Sequence, residues 1–253
     1  MFEKLRDGER IELAKAKIPK VLDHFLYLLE LHANNAHIVY SPLLSSQIPP
    51  SFAANAFNVF QRSMYQFEIV RLCALWDSVD IDKANIPTVI ELIDDDSIID
   101  ILAEETRIHW ANEATVLLNP SVEPALNSAE RDAVRRSELK WADHQAATAK
   151  TELRRAIADA RAIVGSPQLS SIMNIRDKHL AHSLERTRRE KKGPIAPMKS
   201  GDETAVLERS VPIVEHLYCW VNGRSFLIGD ARRVDEENAT SLWQGCKFDP
   251  NMD

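Results

Sequence analysis

Glycine is scarce, seven in 253 residues, and nowhere clustered. The chain therefore has no Gly-rich loop to cradle a nucleotide's phosphates, and it has no GxSxG nucleophile elbow. Its three cysteines, Cys73, Cys219 and Cys246, are an odd, scattered set without CxxC spacing. Neither a disulfide framework nor a zinc site is indicated, and no cofactor is called for. No run of about 18 uncharged apolar residues occurs, which speaks against a membrane-spanning helix. The opening MFEKLRDGER is charged rather than apolar, so the expectation is a soluble, untargeted protein of a reducing cytoplasm. An excess of basic residues is missing too: 31 Lys and Arg face 38 Asp and Glu, a net charge of −7. A coat protein for nucleic acid, basic over its whole surface, is excluded; a local basic patch is not.

What is present is helical periodicity, with no convincing alternating strand. Residues 1–40 read as helix, with Pro19 opening a second segment. A loop follows, and then a long helix from Ser51 to about Trp76. Phe52, Ala56, Val59, Phe60, Ser63, Phe67, Val70 and Ala74 form one stripe on it; Tyr65, Ile69, Leu72 and Trp76 form another. Two apolar stripes place that helix between neighbours, at the centre of a bundle. Pro87 opens a short helix, and a further one near residues 97–118 ends at Asn119–Pro120. Residues 122–164 carry Leu139, Ala142, Ala146, Ala149, Leu153, Ala156, Ala160 and Ile163 in alternating steps of three and four. Alanine at most positions of such a seam lets a partner helix approach closely.

Gly165–Ser166–Pro167 then marks a tight turn into residues 166–184, which should pack antiparallel on the preceding helix. Leu169, Ile172, Met173, Leu180 and Leu184 make this segment amphipathic, and it holds Arg176, Asp177, Lys178, His179 and His182. The stretch after it has no apolar periodicity. From Arg176 through Lys199 eight Lys or Arg stand against three Asp or Glu, a local excess of five positive charges in an acidic chain. Arg186, Arg188, Arg189, Lys191 and Lys192 carry most of it, either as a nucleic-acid tether together with Lys178 or as a solvated loop. Helix resumes near Glu203, is kinked or restarted at Pro212, and stops around Gly223. A short helix near residues 235–244 closes the chain. The expected fold is an all-α, up-and-down helical bundle, its long antiparallel hairpin carrying the motif. A single domain over residues 1–225, with helices 1–40 packed on it, would leave 226–253 as a tail.

RDKHLAH resembles the signature of the HEPN superfamily: an Arg, a polar residue, a short spacer and a His, with five residues between Arg176 and His182. The helix ending IVRLCALWDSVD, followed by NIPTVIELIDD, is similar to the abortive-infection AbiU-type branch. The resemblance covers about residues 20–225. It implies a metal-independent endoribonuclease of defence or growth arrest, with RNA as partner and a cognate antitoxin or regulator. In that role Arg176 binds phosphate, His182 is the catalytic histidine and Asp177 is the polar residue beside the Arg. HEPN toxins silenced by a nucleotidyltransferase usually carry a Tyr two residues after the motif His; Leu184 stands there, so that form of regulation is not expected.

The residue types suit the chemistry. RNA brings its own nucleophile, the 2′-OH, so a protein need only move two protons and stabilise the phosphorane. Histidine titrates near neutrality, and the planar fork of arginine matches two phosphate oxygens. On an ideal helix at about 100° per residue, however, Arg176 and His182 lie roughly 120° apart, and Arg176 and His179 only about 60°. His179 is therefore a second candidate histidine. A homodimer with the motif near its two-fold axis would bring two copies of both groups to one cleft. Two other readings stand beside this one: a non-catalytic HEPN module that binds a partner protein or nucleotide, and a purely structural helical oligomer. Arg71 with Asp77 reads as a structural pair or a cap, and His24, His32, His37 and His109 read as structural.

Overall fold

The computed structural model describes residues 2–117 and 127–248. Among these residues there are eight α-helices and no strand: α1 Asp7–Ile38, α2 Phe52–Leu75, α3 Ile86–Ile93, α4 Asp96–Leu117, α5 Ser128–Val164, α6 Pro167–Ile175, α7 Asp202–Asn222 and α8 Ile228–Gly245. The all-α bundle is as the periodicity indicates, and no described helix is long and apolar enough to cross a membrane. The proposed stop at Asn119–Pro120 and the first residues of the 122–164 stretch lie outside the described residues.

Local chemistry sets the helix ends. Asn85 accepts from the Thr88 N–H and Pro87 follows in the first turn of α3; Ser166 accepts from the Leu169 N–H ahead of Pro167 in α6. Gly223 closes α7 at φ +65°, a conformation that residues with a Cβ rarely adopt. Two prolines, by contrast, break nothing. α1 runs straight through Pro19, and α7 through Pro212. Proline removes the N–H that would reach the carbonyl four residues back. In α1 that carbonyl belongs to Lys15, and the Asn222 side chain donates to it at 3.0 Å. A partner from the far end of α7 supplies the lost bond, so the expected second segment at Pro19 does not exist.

One core joins α1 to the inner face of α2, to α3 and α4, and to α5, α6, α7 and the start of α8. The α5 seam is buried at Ala142, Ala149, Leu153, Ala156, Ala160 and Ile163. It packs mainly on α4 and α7, and α6 touches it only slightly while leaning on α7. The extensive hairpin is therefore α4 with α5. It is antiparallel, as its cross-links show: Asp94 with Arg161, Asp96 with Arg154, Asp100 with Lys150, and Trp110 edge-on to Trp141. The sequence-based pairing with the motif helix is corrected on this point, because α6 is only nine residues long and turns away onto α7.

α2 differs from expectation as well. Its inner side is buried at Phe57, Glu68, Ile69, Leu72, Cys73, Leu75 and Trp76. There the Glu68 carboxylate lies 2.6 Å from His32 Nδ1 and accepts from Asn35 Nδ2 at 2.5 Å and Tyr40 Oη at 3.1 Å. The other stripe faces outward: Phe52 is 93% exposed, Val59 64%, and Phe60, Phe67 and Val70 are exposed too. Within one chain α2 is a wall of the bundle, not its centre. α8 begins at Ile228, earlier than residues 235–244, and lies along α1, where Trp243 Nε1 donates to Asn34 Oδ1 at 2.8 Å and His37 meets Thr240.

Candidate functional site

The motif does not continue α6. At Arg176 the helix widens into a π turn, Arg176–Leu180, in which the Ala181 N–H donates to the Arg176 carbonyl at 2.8 Å, one residue further than in an α-helix. The chain then leaves helical structure, so the expected helix over 166–184 ends early. Such single π turns are frequent at functional sites. The widened turn rests on the end of α2, which is itself fixed where Trp76 Nε1 donates to Ser210 of α7 at 3.0 Å.

Two carboxylates hold Arg176. Its Nε and Nη2 both donate to Asp177 Oδ1, at 2.9 and 2.6 Å, and its Nη1 lies 3.5 Å from Asp77 Oδ1. Asp77 in turn accepts from Lys83 Nζ at 3.0 Å and from the Ser78 N–H at 2.9 Å. Burial works against the guanidinium charge, but the bonds to Asp177 and the charges around it prevail, and the pKa of Arg176 is raised. Burial likewise pushes Asp77 up, and Lys83, the Ser78 N–H and Arg176 outweigh it, so its carboxyl lies below the ordinary value. Arg71, by contrast, stacks over the Tyr27 ring at 4.9 Å and does not pair with Asp77.

Arg176, Asp177, His182, Leu184, Arg186, Arg188 and Lys191 line one open cleft of about 530 Å³. The ideal-helix separation of Arg176 and His182 does not apply here, because His182 lies beyond the π turn, and both side chains reach the same space. Four cationic groups against one carboxylate make this cleft positive on a chain of net charge −7. His179 is exposed and is not among the residues lining it. Lys178 is paired with Glu190 at 2.9 Å, and Arg189 approaches Asp177 at 3.9 Å. Lys192 lines a neighbouring shallow pocket together with Arg186 and Lys191. The cleft holds no thiol. Cys73, behind Arg176, is pushed up to about 12 by burial and is no nucleophile at neutral pH.

Comparison with known families decides the affiliation, since residues 15–240 match the AbiU2 family of HEPN domains. The chain belongs to that family. No curated protein and no solved structure matched. The match spans every helix from α1 into α8, so the AbiU2 domain includes α7 and most of the final helix as well as the motif. No group of three or more His, Cys, Asp or Glu among the described residues could hold a metal ion.

Sequence reasoning missed Asp77, Lys83, Asn174, Thr187 and Glu190 as parts of the site. Only Asp77 left a signal, through its place at the end of the LWD helix. The others become visible once the chain folds back on itself.

Proposed function

We propose that this AbiU2 protein is an endoribonuclease of defence or growth arrest that cleaves RNA by attack of the 2′-OH. The observation that carries the reading is the meeting of Arg176 and His182 in a single cleft with Arg186, Arg188 and Lys191 on its rim. In the step itself a histidine takes the 2′-OH proton as that oxygen bonds to phosphorus. The bond from phosphorus to the 5′-oxygen breaks, and a second acid protonates the leaving oxygen. A 2′,3′-cyclic phosphate and a 5′-OH result. Arg176 neutralises the phosphorane oxygens, a contribution of about 3 kcal/mol for one well-aimed donor.

One copy supplies a single histidine to the cleft, whereas the reaction uses a base and an acid. A homodimer with the motif near its axis supplies both. The outward stripe of α2, from Phe52 to Ala74, offers the face for it: steps of three and four suit packing against an identical helix, and α2 runs directly to Asp77 beside Arg176. A non-catalytic module, binding a partner protein or nucleotide, is the second reading. It is favoured by the two carboxylates that already occupy Arg176, which a phosphate must displace or share.

The test is cleavage of single-stranded RNA in excess EDTA. Cyclic-phosphate ends are expected, DNA should resist for want of a 2′-OH, and Arg176→Ala or His182→Ala should slow the reaction about 10²–10³-fold. Inertness towards varied RNAs, with RNA still bound, would hand the site to the second reading.

A further inference from the structure

The basic loop contains one residue whose sign opposes its surroundings. Glu190 lies between Arg189 and Lys191 in a segment that would face a polyanion. Its carboxylate is nonetheless fully engaged. Oε1 accepts from Asn174 Nδ2 at 3.0 Å and from Lys178 Nζ at 2.9 Å, and Oε2 accepts from the Thr187 N–H at 3.0 Å. Thr187, completely buried, closes the knot: its hydroxyl donates to Asn174 Oδ1 at 2.5 Å and accepts from the Glu190 N–H at 3.1 Å. The Glu190 carbonyl accepts from Arg186 Nη2 at 3.2 Å. Asn174 sits in α6 and Lys178 in the π turn, so these bonds tie the loop to the motif on which Arg176 stands. The donors, Asn174 and Lys178 foremost, hold the Glu190 carboxyl down to about 2, and it stays charged at any physiological pH.

We propose that Glu190 is a positioning residue for polyanion binding: it pins residues 185–192 to the motif helix so that Arg186, Arg188 and Lys191 face the cleft. The proposal rests on the reading of that cleft as an RNA site. A loose arginine-rich loop would have to lose its backbone and side-chain freedom on binding, a cost that grows with each residue fixed. Anchored in advance, it presents its charges without that cost. The Glu190 charge is matched by Lys178, so the pair as a whole hardly repels a phosphate. Simple electrostatics argues the opposite outcome, since deleting a carboxylate among five cations should tighten the grip on any polyanion.

Comparing Glu190→Ala with Glu190→Gln separates the two ideas, because both remove the charge while only alanine removes every acceptor. Binding of a single-stranded RNA about 20 nucleotides long is measured against salt, and trypsin susceptibility is followed at Arg186, Arg188, Arg189, Lys191 and Lys192. Glu190→Ala should bind RNA about tenfold more weakly, with a shallower salt dependence as fewer phosphates are met, and should be cut rapidly within the loop. Glu190→Gln, which keeps an acceptor for the Thr187 N–H, should retain most of the affinity and most of the resistance. Thr187→Val, with its charge unchanged, should resemble the alanine variant. Equal or tighter RNA binding by Glu190→Ala would overturn the positioning role, and a loop that stays trypsin-resistant in that variant would overturn the anchoring. Wild-type protein that binds no RNA would sink the functional reading and the loop's purpose with it. The trypsin result would still decide whether Glu190 holds the loop.

Discussion

α5 and α2 each carry apolar residues at steps of three and four, yet α5 buries most of its seam within one chain while α2 leaves its outer stripe partly or largely exposed. On α5 the seam is mostly alanine, which draws α4 and α7 in closely and leaves Ala142, Ala149, Leu153 and Ala156 buried. On α2 the outer stripe is built of phenylalanine and valine, larger and more costly to leave wet. Tyr27 flanks Phe67 and Phe57 flanks Phe60, yet Phe60, Phe67 and Val70 stay partly exposed and Phe52 and Val59 largely so. A periodic stripe shows that a face is made for packing; it does not show whether the cover belongs to the same chain. An exposed apolar face of this length marks an interaction surface. The AbiU2 bundle thus keeps its main core inside and exposes apolar residues along one wall, and that wall leads to the motif.

The largest expected contrast is in stability. Leu153→Ala, at a fully buried position of α5, should cost about 2–5 kcal/mol. Val59→Ser on the outer stripe should change the monomer by no more than about 0.5 kcal/mol. Denaturant unfolding at low protein concentration measures both. A loss at Val59 comparable to that at Leu153 would show that the stripe is covered by the chain itself.

Assembly gives the next contrast. Phe60→Glu together with Val70→Glu should leave the folded monomer intact, since both side chains are exposed. If the stripe joins two copies, these changes place like charges at its centre and abolish the dimer seen by light scattering. A wild-type protein that stays monomeric at micromolar concentration would leave the stripe to another partner and remove the composite site.

Much of this was legible from residues alone. Ser166, Pro87 and Gly223 announce helix ends through local chemistry that any helix needs, and the alanine seam of α5 announces close packing. What stayed hidden depends on partners far along the chain. Pro19 looks like a break, but the carbonyl it orphans is met by Asn222, on α7. RDKHL looks like ordinary helix because nothing in five such residues encodes a widened turn; the turn instead rests on the end of α2. Arg176 and His182 stand out in the motif, but the π turn between them removes the ideal helix on which their expected separation rests; both line one cleft, and His179 does not. Glu190 looked like one more solvated charge, and only the folded loop shows what it binds.

The smallest effect lies where α2 meets the motif. Asp77 holds Arg176 and Lys83, and its folded pKa lies below the unfolded value of about 4. As pH falls, the unfolded chain takes up this proton first, so the stabilisation is present above about pH 4 and is lost as pH drops through the folded pKa. Asp77→Asn mimics the protonated group at every pH. The gap in stability between wild type and Asp77→Asn should therefore be constant above about pH 5 and narrow as pH falls below about 4. Because the pair is partly exposed, the gap should be modest, about 0.2–1 kcal/mol for each ion pair lost. Other carboxylates titrate in the same range, so only the difference between the two proteins is informative. In an Arg176→Ala background the gap should shrink, because one of the two cations that hold Asp77 is gone, and a double-mutant cycle reads that coupling directly. A gap that persists unchanged at pH 2, or that is the same with and without Arg176, would mean that Asp77 serves only its own turn and that the motif arginine is held by Asp177 alone.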